Sequence, residues 1–137
     1  MANLNLGATA EYPRGLGMSD GQVGDLDIGY ASFVRLEPTV PGDPAGMWDL
    51  SGIAGGEEGR IVTLWNNTGV TCRILEYDFV GNLSSAGNLI VIAGIYNSSS
   101  VFWLYDGEMV TLQYLDGPPG GQYWRIRHGL VPHGPYS

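Results

Sequence analysis

The side chains that most often carry catalysis or bind metals are few in this chain and poorly placed for either task. The two histidines, His128 and His133, stand in a C-terminal stretch without a predicted strand or helix. Metal ligands must be held in a fixed geometry, so we expect no metal site there. The single cysteine, Cys72, excludes an intrachain disulfide. It alternates with Ile74 in a strand pattern, which predicts a small core residue rather than a nucleophile.

Carboxylates are more numerous, but the sequence scatters them over predicted turns. They include Asp20, Asp25, Asp27, Asp43, Glu57, Glu58, Asp106 and Asp116. A glycosidase needs two acids fixed about 5–10 Å apart, and the spacing does not indicate such a pair. Lysine is absent, and the chain has no G-x-S-x-G and no phosphate-binding motif. We therefore expect neither an enzyme nor a cofactor.

The stretch that must position the other elements runs from 51 to 66, S-G-I-A-G-G-E-E-G-R-I-V-T-L-W-N. Its glycines predict a tight structural turn with positive φ angles, at Gly52, Gly55, Gly56 and Gly59. Glu57 and Glu58 fit a structural role there, because backbone amides attract carboxylates. The β-type run that follows predicts a strand buried on at least one side, with Trp65 on one face and Val62 and Leu64 on the other.

Further alternating segments predict a chain built from strands. Residues 25–37 form the cleanest pattern and predict one long strand. Its core face would carry Leu26, Ile28, Tyr30, Val34 and Leu36. Other predicted strands cover residues 88–93 and 122–127.

Two turn signals predict hairpins. The sequence Asn66-Asn67-Thr68-Gly69 would join strand 60–65 to an antiparallel neighbour at 70–76. Asp106-Gly107 would join strand 101–105 to strand 108–115 in the same way.

About eight strands without a sustained helical period predict an all-β fold, an antiparallel β-sandwich or small barrel. The length of 137 residues fits one folded domain. We divide the chain into an irregular N-terminal arm at 1–24, a β-domain at 25–130 and a C-terminal tail at 131–137.

The charge balance limits the partners. Fourteen acidic residues oppose six arginines, for a net charge of −8. The arginines are spread over the sequence and predict no basic cluster, so nucleic acid is not an expected partner. No apolar stretch reaches the length of a membrane span, and the N-terminus does not resemble a signal peptide. We expect a protein that is made in a cytoplasm and does not bind a membrane.

The stretch from 51 to 66, together with segments that follow it, also carries a family resemblance. "GIAGGxxGRIVTLxN", followed by an Asn-Leu-Ile segment, an aromatic strand ending in Tyr-Asp and a last strand with Trp-Arg, resembles a β-rich module of tailed-bacteriophage virion proteins. Such modules occur in tail fibres, tail spikes, head fibres and head-decoration proteins, and they are commonly trimeric. The resemblance covers roughly residues 50–127.

The resemblance implies a structural virion protein, and we expect a head-decoration protein that binds and stabilises the capsid shell. Its partners would be the major capsid protein and two further copies of the chain, and its place the capsid surface. The arm would supply the capsid contact through Leu4, Leu6, Tyr12 and Arg14. Aromatic residues on predicted strands would pack in the core or at a subunit interface, at Trp65, Trp103 and Trp124. The alternative is a fibre or spike head domain that stacks a cell-surface glycan on such rings.

Overall fold

The computed structural model describes residues 21–38, 42, 44–92, 101–117 and 121–127. These residues contain eleven strands and one three-residue turn of 3-10 helix, Ala86–Asn88. The strands are β1 (Gln22–Val23), β2 (Leu26–Asp27), β3 (Phe33–Leu36), β4 (Trp48–Leu50), β5 (Ile53–Ala54), β6 (Ile61–Asn66), β7 (Cys72–Leu75), β8 (Ile90–Val91), β9 (Val101–Leu104), β10 (Met109–Asp116) and β11 (Gln122–Ile126). The all-β prediction is therefore confirmed.

The strands form three sheets of mixed direction. The larger one has the order β3-β6-β10-β11-β8, the second has the order β1-β4-β7-β9, and β2 pairs with β5 alone. Strand β10 runs antiparallel to both β6 and β11, and β7 runs antiparallel to β9. The other five pairs are parallel. The sheets are thus not purely antiparallel, and the described strands outnumber the predicted eight.

One hydrophobic core joins residues from all three sheets. It contains Val62 and Leu64 of β6 and Cys72 and Ile74 of β7, each without exposed surface. Two tryptophans, Trp48 and Trp124, are the largest fully buried side chains. Cys72 is a buried core residue, as its strand pattern predicts, and burial raises the pKa of its thiol well above the usual value.

The predicted long strand over 25–37 is wrong in its middle. It divides into β2 and β3, separated by a turn in which Gly29 has φ +57°. The core face is right at Leu26, Ile28, Val34 and Leu36, but Tyr30 is fully exposed on the turn. The arm boundary also moves, because β1 pairs with β4 and lies within the predicted arm.

Both predicted hairpins are wrong. The segment after Asn66 does not turn back on β6. Instead it carries the chain from the five-stranded sheet to β7 in the four-stranded sheet. The Asp106-Gly107 turn takes the chain back, from β9 in the four-stranded sheet to β10 in the five-stranded sheet. A tight turn reverses the chain, but which partner the next strand pairs with depends on the core that both strands cover.

Candidate functional site: a glycine-rich corner and an outer sheet face

The glycine-rich stretch forms a corner whose glycines serve two different purposes. Gly55 and Gly59 have φ angles of +87° and +89°, the left-handed region that glycine adopts at least cost. Gly52 and Gly56 lie outside that region, which corrects the prediction of positive φ at all four positions. They are needed for space instead. A Cβ at position 52 would lie 2.7 Å from the Asn88 carbonyl oxygen, and one at 56 would overlap the Tyr114 ring.

Tyr114 and Trp124, on β10 and β11, contact this corner and hold it in place. The Trp124 Nε1 donates to the Ile53 carbonyl at 2.8 Å, and the Gly59 amide donates to the Tyr114 carbonyl at 2.7 Å. The two rings stack edge to face, with centroids 5.2 Å apart. Trp124 has no exposed surface, so its assignment to a subunit interface is wrong. It packs in the core, the other role that its strand pattern allowed.

Arg60 joins the corner to the turn that precedes β3. Its guanidinium donates to the carbonyl of Gly55 at 2.8 Å and to the carbonyls of Gly29 and Ala31, each at 2.9 Å. The two loops therefore form one unit, and their exposed side chains share a surface. We call this surface the acidic corner and define it as Asp27, Tyr30, Glu57 and Glu58, all exposed.

Hydrogen bonds order part of the acidic corner. Asp27 Oδ1 accepts from the Gly29 amide at 3.0 Å, and Glu58 Oε1 accepts from the Gln122 side chain at 3.0 Å. The sequence predicted backbone amides of the corner as donors, but the donor to Glu58 is the side chain of Gln122 on β11. The surface carries three carboxylates and the guanidinium of Arg60, so its net charge is negative.

The outer face of the five-stranded sheet has the opposite character. Strand alternation turns Val34, Leu64 and Leu112 inward and their neighbours outward. The outward side chains include Ile61, Gln113 and Tyr123. We call six others among them the arginine–aromatic face: Phe33, Arg35, Trp65, Met109, Arg125 and Arg127. Thr63 and Thr111 lie at its centre, with their hydroxyls 2.8 Å apart. Strands β3, β6, β10 and β11 carry no carboxylate at an outward position, but Glu37, directly after β3, pairs with Arg35.

The strand register places these residues in rows across the sheet. Arg35, Trp65 and Met109 form one row. The Arg127 amide donates to the Thr111 carbonyl at 2.9 Å, which continues the next row. The Arg35 guanidinium lies 6.0 Å from the Trp65 ring centroid and pairs with Glu37. Arg125 lies 5.7 Å from the Tyr123 ring.

Sequence reasoning missed this face because the arginines are far apart in the chain. A signal was present, since Arg35, Arg125 and Arg127 each alternate with buried residues in a strand. Pairing of β3 with β6 and of β10 with β11 then brings them to one side.

A second row crosses the four-stranded sheet on its own outer face. Gln22, Asp49, Arg73 and Trp103 are register partners on β1, β4, β7 and β9. Arg73 donates to both oxygens of Asp49, at 2.7 and 2.9 Å, and this bond raises the pKa of the guanidinium. The Arg73 guanidinium carbon lies 5.9 Å from the Trp103 centroid. Trp103 is 41% exposed, whereas Trp65 is half-buried, so both rings reach the surface but on different sheets.

Asp25 lies in a polar cluster that fastens the β1–β2 segment to residues 84–88. Its carboxylate accepts from the Ser85 amide at 2.8 Å, the Ser85 hydroxyl at 2.9 Å and the Asn88 side chain at 2.8 Å. The Asn88 bond is the main reason that the pKa of Asp25 is lowered. The nearby hydroxyls of Ser51 and Ser84 bond to each other at 2.8 Å. This cluster of carboxylate and hydroxyls holds two segments together and contains no basic side chain to activate a serine.

Several predicted site residues lie outside the described residues. They are the proposed capsid contacts Leu4, Leu6, Tyr12 and Arg14, the histidines 128 and 133, and the C-terminal tail 131–137. In the part of the chain that is described, no group of three His, Cys, Asp or Glu side chains could hold a metal ion. That part also contains no helix of the length and apolarity that a membrane span requires.

Comparison with known proteins finds no matching family model, no matching curated protein and no matching solved structure. The assignment to a phage particle therefore stays a prediction from the motif.

Proposed function

We propose that this chain is a structural protein of a tailed phage, a head-decoration protein that binds and stabilises the capsid shell as a homotrimer. The motif resemblance supports the phage part of the proposal. The arginine–aromatic face supports the structural part, and it is the observation that carries the proposal. Arg, Trp, Phe and Met are enriched in protein–protein interfaces, whereas Asp and Glu are depleted. The face has that composition on a chain of net charge −8.

In this proposal the two large sheets form a sandwich that acts as a rigid spacer between contact surfaces. The arginine–aromatic face binds another copy, and the N-terminal arm binds the major capsid protein. Nucleic acid, a membrane and a cofactor have no part in it, and the protein is not an enzyme.

The test is the position of the protein in purified particles. Gold-labelled antibody against the chain should mark the heads of tailed particles, and mass spectrometry of washed heads should find the chain in a fixed ratio to the capsid protein. Label on the tails would favour a fibre location. Absence of the chain from washed particles would overturn the structural proposal.

The arm is tested by removing residues 1–20, which leaves β1 and its pairing with β4 intact. The shortened protein should have the same melting temperature as the full chain. It should no longer bind phage heads from which the full-length protein is absent. Unchanged binding would move the capsid contact to the β-domain.

The row on the four-stranded sheet favours a second candidate, a fibre head domain that binds glycan. An exposed indole can stack against the apolar face of a sugar ring, and the Asp49–Arg73 pair offers a carboxylate and a guanidinium beside it for hydroxyls. On a glycan array, Trp103→Ala should abolish any signal and Trp65→Ala should preserve it. A signal that survives Trp103→Ala would contradict this site.

A further inference from the structure

We infer that the arginine–aromatic face of one copy binds the acidic corner of a second copy, so that the copies assemble head to tail. This inference rests on the proposed function only in assuming that the chain assembles with itself. Each contact would join the arginine–aromatic face of one copy to the acidic corner of the next.

The first argument is charge complementarity within a single chain. The face holds Arg35, Arg125 and Arg127, with Glu37 beside Arg35. The corner holds Asp27, Glu57 and Glu58, and the Arg60 guanidinium bonds to backbone carbonyls of its two loops. A second copy therefore presents to each surface a charge of the opposite sign, and such pairing steers encounter and fixes register.

The second argument is the shape and fixation of the corner. Tyr30 is 100% exposed at the tip of its turn, and tyrosine is among the residues that most often dominate binding energy. The Arg60 bonds to three carbonyls hold this turn to the glycine corner. Because the loops are already ordered, binding costs less conformational entropy. On the arginine–aromatic face of the other copy, Trp65 and Met109 offer an apolar surface for the Tyr30 ring.

The third argument concerns a two-fold contact centred on one of the two surfaces. Such an interface would place that surface against itself. Face against face would oppose arginines with arginines, and corner against corner would oppose carboxylates with carboxylates, and like charges disfavour both. A contact between two different surfaces is heterologous, and such a contact closes a ring when the rotation permits, as a trimer requires.

A mixing experiment tests this arrangement. The face variant is Arg35→Gln/Arg127→Gln. The corner variant is Tyr30→Ser/Glu57→Gln/Glu58→Gln, in which the amide introduced at position 58 can still accept from the Gln122 side chain. Thermal melts check that both variants fold, and Arg127→Gln alone, at an exposed position, replaces the face variant if it does not. Tyr105→Ser, at an exposed residue outside both surfaces, is the matched control.

Sedimentation equilibrium should show assembly of the wild type and of Tyr105→Ser, and about tenfold or more weaker association for each interface variant alone. An equimolar mixture of the two variants should form a one-to-one dimer, because it retains one intact face and one intact corner. A mixture that stays monomeric while the wild type assembles would overturn the face–corner contact and leave self-assembly standing. Variants that assemble like the wild type would overturn it too. A wild type that stays monomeric would overturn the inference, whereas labelling of particles tests the capsid role separately.

Discussion

At the scale of the residue, Glu76 is a carboxylate whose burial affects stability. Its side chain is 5% exposed, and its two oxygens lie 3.3 and 3.4 Å from the Ile92 amide that they accept from. Burial is the main reason that its pKa rises from 4.5 to about 7, with a smaller contribution from Asp78. The folded state therefore binds a proton more readily than the unfolded state, so protonation of Glu76 stabilises the fold at low pH. This stabilisation is lost as the pH rises from 4.5 through about 7.

Glu76→Gln should remove that pH dependence. As the pH is raised from below 4.5 to above 7, the free energy of unfolding of the wild type should fall by about 3 kcal/mol relative to that of the variant. Urea unfolding at a series of pH values measures this, with the exposed Glu57→Gln as control. A difference between Glu76→Gln and wild type that is the same at every pH would contradict the raised pKa.

Gly56 is a position where space rather than φ excludes a side chain. We expect Gly56→Ala to lower the free energy of unfolding by about 1–3 kcal/mol, because the added methyl overlaps the Tyr114 ring. The double variant Gly56→Ala/Tyr114→Leu should lose less than the sum of the two single variants. Strict additivity in urea unfolding would mean that the two residues do not meet. Normal stability of Gly56→Ala with lost binding to heads would make the corner a contact surface instead.

At the scale of the element, the crossover after β6 depends on Asn66. Its side chain has no exposed surface and bonds fully: Nδ2 donates to the Val70 and Leu104 carbonyls, each at 2.9 Å. Oδ1 accepts from the amide and the hydroxyl of Thr68, at 3.2 and 2.7 Å. Because Leu104 ends β9, this one side chain links the connections that leave and re-enter the five-stranded sheet.

Asn66→Leu keeps much of the volume but leaves two buried carbonyls without this donor. We expect a loss of about 2–4 kcal/mol in free energy of unfolding. Asn67→Ala, at the exposed neighbour, should change it by less than about 0.5 kcal/mol. Equal effects of the two substitutions in urea unfolding would show that the crossover does not depend on the Asn66 network.

At the scale of the whole molecule, the separation of charge between the face and the corner predicts salt-dependent assembly. Raising the ionic strength from about 0.05 to about 0.5 M shortens the reach of charge interactions and should weaken association of the wild type several-fold. Sedimentation equilibrium across this series measures the slope. The Arg127→Gln variant should show a shallower slope, and association that strengthens with salt would indicate an interface dominated by apolar contact.

Features that depend on neighbouring residues could be predicted from the sequence. Alternation predicted the all-β class, placed Val62 and Leu64 together on one face of their strand, and predicted that Cys72 is a core residue. Glycine spacing located the corner and, at Gly55 and Gly59, its positive φ angles. These properties follow from the pleat of one strand and the φ of one residue, so the local sequence is enough to predict them.

The choice of strand partners, and of the side chains that they bring together, depends on the packing of the whole fold. A turn such as Asp106-Gly107 permits both a hairpin and a crossover between sheets, and the choice depends on which arrangement buries the apolar faces on both sides of it. The parallel pairing of Phe33 with Thr63 and the antiparallel pairing of Trp65 with Met109 join residues far apart in the chain. The arginine–aromatic face and the acidic corner exist only because of such pairings, since interactions between distant segments depend on the packing of the whole core.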